Sequence, residues 1–164
     1  MNWISKSTAL KIHDEILAEL GGLAGVRDES GLESALARPQ QKYNYGETNV
    51  ARLAASLMYG LVQGHAYSDG NKRTSFICTN TFLNDNGYTL RAPAKEIFDT
   101  VVNVAAGIIK EQALSDWFVN HSRAQTISGP EYSIPMAMIK QQALSYHRQN
   151  VLELLSQRTQ GYTR

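Results

Sequence analysis

The stretch His65-Ala66-Tyr67-Ser68-Asp69-Gly70-Asn71-Lys72-Arg73-Thr74 gathers an imidazole, a carboxylate, a glycine and two cations. An imidazole takes up and releases a proton near neutral pH, so His65 is the candidate general base. Asp69 is the one carboxylate of the stretch, and a single acid beside phosphate oxygens suits Mg²⁺, which shares its shell with phosphate and water. Gly70 allows a tight turn. A helix that opens directly after it, at Asn71, presents free main-chain N–H groups and the positive end of its dipole to an anion. Arg73 adds a planar fork matched to phosphate oxygens, and Lys72 adds a point charge on the neighbouring face. The chemistry these residue types share is transfer from a polyphosphate, with His65 catalytic, Asp69 on the metal, and Gly70, Asn71, Lys72 and Arg73 on phosphate.

Each member alone has a plainer role. A histidine at a helix end caps or packs, Asp-Gly-Asn is a turn, and Lys-Arg is a solvated pair. Their convergence on one loop favours the functional reading. Tyr67 is assigned to packing, as the anchor of an otherwise polar loop.

Two helices must carry this loop. From Asn49 onward, Leu53, Leu57 and Leu61 form a stripe that Ala54, Met58 and Val62 widen, which predicts a central helix running into Gly64-His65. A second helix is predicted from Asn71 to Leu83, ended by Asn84-Asp85-Asn86-Gly87. Around this pair, Ser5 or Ser7 caps a first helix with Ile12, Ile16 and Leu20 on one face, closed by Gly21-Gly22. A short helix from Leu32 to Arg38 is predicted to stop at Pro39, with Gln40 to Thr48 an exposed extended loop or small hairpin. Pro93 opens a further helix with Ile97, Val101, Val104 and Ile108 inward, and Leu114, Trp117 and Phe118 mark a shorter one. Strand signals are almost absent. The expectation is an all-α domain over residues 1–122, a helical bundle around a central helix-loop-helix. Residues 123–164 read as a linker and a C-terminal helical extension, the helix at Met136 to Gln157.

Composition narrows the function classes. Sixteen Lys and Arg against 15 Asp and Glu leave a net charge of +1, so the whole molecule offers no field for nucleic acid or anionic lipid. The single cysteine, Cys78, allows no intrachain disulfide, and no Cys/His cluster has zinc spacing. No export signal or membrane span is expected, and a reducing cytoplasm is the expected compartment.

The loop resembles the signature of the Fic/Doc family: His, variable, aromatic, variable, acid, small, Asn, Gly or Lys, Arg. His65, Tyr67, Asp69, Gly70, Asn71, Lys72 and Arg73 fill it. Lys72, where Fic enzymes proper carry Gly, makes it similar to the Doc branch, as does Phe76 where Fic enzymes often carry a second Arg. Val26-Arg27-Asp28, Leu32-Glu33-Ser34-Ala35-Leu36 and Arg38-Pro39 resemble the family's leading segment, so the likeness covers about Trp3 to Asn120. Tyr67 replaces the usual Phe. The Fic self-inhibitory pattern is absent, its nearest match being Ser145-Tyr146-His147-Arg148-Gln149-Asn150 with Gln in place of Glu.

The resemblance implies a Fic fold and ATP with Mg²⁺ over the loop, with His65 as base, Asp69 on the metal and Arg73 on phosphate. For the Doc branch it implies a toxin kinase that presents the γ-phosphate, inactivates elongation factor Tu and is held in check by a cognate antitoxin; AMP transfer, or an interaction protein without turnover on the same fold, are the alternatives. It also implies a flap that holds the target chain, matched here to Lys42, Tyr43, Asn44 and Tyr45. The extension has no counterpart in short Doc proteins and is expected to pack or to mediate homo-oligomer formation.

Overall fold

In a computed structural model that describes residues 1–125, Ser5 caps helix α1 (Lys6–Leu20), its hydroxyl accepting from the Thr8 N–H at 3.0 Å. Gly21, with φ of 71°, ends the helix by donating its N–H to the Leu17 carbonyl. Asp28 caps α2 (Glu29–Asn44) by accepting from the Gly31 N–H at 2.9 Å.

Helix α2 corrects one expectation. It runs through Pro39 to Asn44, so Gln40 to Asn44 is helical rather than an extended loop or hairpin. A proline withholds one N–H and crowds the preceding turn, a penalty that tertiary contacts override here. Pro39 is itself buried, and past it Lys42 pairs with Glu111 at 2.7 Å while the Tyr43 ring meets Trp3 edge-on at 5.6 Å.

Asn49 caps α3 (Val50–Gly64), which is buried around most of its circumference and forms the centre of the bundle. It packs against α2, α4 (Asn71–Asp85) and α6 (Glu111–His121). Gly60 sets the closeness of α2: a Cβ there would lie 3.2 Å from the Ala35 Cα. The two helices are antiparallel neighbours, so the start of α2 lies beside the end of α3.

After α4 the chain forms β1 (Tyr88–Leu90) and α5 (Ala94–Ala105), then α6 and β2 (Ser122–Ala124). The strands pair antiparallel, Tyr88 with Ala124, Thr89 with Arg123 and Leu90 with Ser122. Strands of three residues carry no periodicity to read, and sequence reasoning missed them. Arg123 and Ala124, assigned by composition to the linker, belong to β2. In α5, Val101 and Val104 are buried as expected, whereas Ile108 is 72% exposed because the helix ends at Ala105 and Gly107 turns the chain. The described fold is all-α apart from this short ribbon. The remainder of the predicted linker and the predicted helix at Met136–Gln157 lie outside the described residues. No helix among the described residues is long and apolar enough to cross a membrane.

Candidate active site

The loop between α3 and α4 is held from below and from one side. His65 is the C-cap of α3 in the left-handed region, φ 44° and ψ 41°, and among the described residues it is the one non-glycine residue with positive φ. Such a conformation costs a side-chain-bearing residue about 1–2 kcal/mol, so something must hold it. Arg27 does, donating from Nη2 to the His65 carbonyl at 2.8 Å. The imidazole itself is exposed.

The segment before α2 runs along the loop. The Ala66 carbonyl accepts from the Arg27 and Asp28 N–H groups at 2.7 and 3.1 Å, Val26 bridges Tyr67, and the Ser68 N–H donates to the Gly25 carbonyl at 3.0 Å. Tyr67 is buried beneath, in the packing role expected of it; burial, with Cys78 nearby, pushes its hydroxyl well above the usual phenol range. Burial also pushes the Cys78 thiol up to about 12, which makes it an unreactive core residue. The Asn71 amide closes the turn, accepting from the Tyr67 N–H at 2.9 Å and donating to the Tyr67 carbonyl at 2.8 Å. Its side chain is therefore engaged by the loop, which leaves its main-chain N–H for an anion.

Gly70, with φ of 76°, precedes α4 without any side-chain cap, so the first-turn N–H groups of that helix are unblocked by a side chain. The half-exposed Asp69 carboxylate accepts from the Gly70 N–H through Oδ1, which also lies 3.7 Å from Arg73 Nη2. The other nitrogen of the Arg73 fork, Nη1, is buried without a hydrogen-bond partner. Lys72 is exposed beside it. Among the described residues no group of three His, Cys, Asp or Glu could hold a metal by itself. A lone carboxylate next to phosphate is the arrangement Mg²⁺ uses. The structure thus brings His65, Asp69, Gly70, Asn71, Lys72 and Arg73 to one loop.

It does not bring Lys42, Tyr43, Asn44 and Tyr45 there. These residues end α2 beside the start of α3, and α3, with 15 residues, separates them from His65 by about 22 Å. Lys42 and Arg38 hold Glu111 at 2.7 and 2.6 Å, which ties α2 to α6. Tyr43 packs on Trp3, and Tyr45 is 92% exposed.

Sequence reasoning missed Arg27 and His13. His13 is 1% exposed on the α1 face formed by Ala9, Ile12 and Ile16, and its Nε2 lies 3.0 Å from the Asp69 carbonyl. An imidazole at an apolar helix position was the available signal.

A buried, unpaired guanidinium nitrogen thus stands at an uncapped helix start beside the Asp69 carboxylate, and the chain belongs to the Fic/DOC family, which it matches over residues 3–83. It is 30% identical over 117 residues to the Protein kinase doc of Escherichia phage P1, covering 71% of this chain and 92% of that protein. It is 40% identical over 99 residues to the Toxin Doc of Mycolicibacterium smegmatis, covering 58% and 71% respectively. Within the family it stands on the Doc branch.

Proposed function

We propose that the chain is a Doc-type toxin of a toxin–antitoxin pair, a kinase that moves the γ-phosphate of ATP to a hydroxyl of a target protein. Elongation factor Tu is the target that the family resemblance suggests, and arrest of translation the consequence. The observation that carries this reading is Arg73 Nη1, buried and unpaired beside the uncapped start of α4. An orphaned donor costs about 1–3 kcal/mol, which a phosphate oxygen would recover.

In this reading the first-turn N–H groups of α4 and the Arg73 fork hold phosphate oxygens, and Lys72 adds positive charge at the edge. Asp69 would hold Mg²⁺, which offsets phosphate charge when bound. His65 accepts the proton of the target hydroxyl as that oxygen bonds to the γ-phosphorus and the bond to ADP breaks. For the target contact, the separation of Lys42–Tyr45 from the loop supports the adjoining segment 21–28 instead, where Leu23 is 71% exposed. A cognate antitoxin is the expected partner.

ATP labelled at the α- or the γ-phosphate, supplied with the purified chain to a cell extract, tests the proposal. Kinase action places γ-label alone on protein. Labelling from the α-phosphate would mean AMP transfer and overturn the kinase reading.

A further inference from the structure

We propose that His13 is a positioning residue for Asp69, acting through the Asp69–Gly70 peptide. A carbonyl oxygen only accepts, so the 3.0 Å contact with the Asp69 carbonyl requires His13 Nε2 to carry its proton and donate it. Nδ1 lies on the other side of the ring, 3.7 Å from the Asp14 carboxylate.

The consequence follows from peptide planarity. In a trans peptide the C=O and N–H point in opposite directions, so drawing the Asp69 carbonyl towards His13 aims the Gly70 N–H away from it. That N–H meets Asp69 Oδ1. One buried imidazole therefore sets, across a single rigid unit, where the carboxylate sits. The ring is itself fixed: it stacks on Tyr67 with centroids 4.1 Å apart and planes 13° from parallel. Gly70 lies directly over it, since a Cβ there would come within 3.7 Å of the ring atoms Nε2 and Cδ2. A residue serving only to fill the core needs no donor at Nε2, and its neighbours on the same face are Ala9, Ile12 and Ile16.

The inference rests on Asp69 being the metal-holding acid, and its test separates the two ideas. In His13→Gln the amide nitrogen reaches the place of Nε2, in His13→Asn it stops near that of Nδ1, and His13→Phe keeps an aromatic ring without a donor. Thermal melting establishes that each variant is folded. Transfer from γ-labelled ATP is then titrated with Mg²⁺. His13→Phe and His13→Asn are expected to raise the Mg²⁺ needed for half-maximal transfer by about 10–100-fold, as loss of a supporting hydrogen bond does at metal sites, while His13→Gln stays near wild type. Folded Phe and Asn variants that titrate like wild type would overturn the inference. A wild-type chain without transfer would sink the kinase reading alone. Amide hydrogen exchange over residues 65–73, measured without nucleotide or metal, still decides on His13: exchange faster in Phe and Asn but not in Gln supports it, and exchange unchanged in all three overturns it.

Discussion

Arg27 reaches across from the segment before α2 and donates from Nη2 to the carbonyl of His65 at 2.8 Å. The exposed side chain of one residue thereby holds the backbone of the candidate base in a left-handed conformation that no glycine eases. Replacing Arg27 with Ala is expected to leave the fold intact and to lower transfer by about 10²-fold, the size of effect that a small misplacement of a reacting group produces. Single-turnover kinetics alongside a melting curve check this, and an undiminished rate would show that the imidazole is held by other means.

Arg73→Lys is expected to cost about 10²-fold or more in rate, because an ammonium cannot reproduce the fork whose Nη1 is buried and unpaired. Normal kinetics in this variant would mean that phosphate is held elsewhere.

Asp69→Asn is expected to cut transfer sharply and to shift the Mg²⁺ titration to higher concentration, since the amide keeps the shape but loses the charge. A rate and metal dependence equal to wild type would remove Asp69 from the metal role.

Asn71→Ala leaves both the N–H and the carbonyl of Tyr67 without partners in a part-buried turn. The expected loss of stability is about 1–3 kcal/mol, read from denaturant unfolding. Asn71→Asp keeps the acceptor and loses the donor, so its loss should be intermediate.

Glu111 supplies a pH signature away from the active loop. Burial pushes its carboxyl up, but the hydrogen bond from Lys42 and the charges of Arg38 and Lys42 pull it further down, to a net value below the ordinary range. The folded carboxyl therefore binds its proton less readily than the unfolded one. Its stabilising contribution is complete above the ordinary glutamate range and is lost as pH falls through the depressed folded value. Melting temperatures from pH 7 downwards should show wild type and Glu111→Gln differing at neutral pH and converging in acid. Parallel curves would contradict the assignment.

Much of this arrangement was legible in the residues themselves. Leu53, Leu57 and Leu61 disclosed the central helix by period, and Gly70 marked the start of α4 because a residue without a side chain lets the chain turn tightly there. The candidate residues of the loop were legible because they are contiguous. What escaped depended on contacts distant in sequence. Pro39 has the local chemistry of a helix end, yet Glu111, remote in the chain, secures the turn beyond it through Lys42. His13 lies 56 residues from Asp69, and only the packing of α1 under the loop joins them. The β1–β2 pairing is set by register across the chain rather than by either strand's own pattern.

The central claim is that His65 takes the proton of the accepting hydroxyl, and γ-label incorporation into protein by wild type and by folded His65→Ala measures it most directly. The account predicts a fall of about 10²–10⁴-fold in the variant at equal nucleotide binding. Equal incorporation by the two proteins would contradict it.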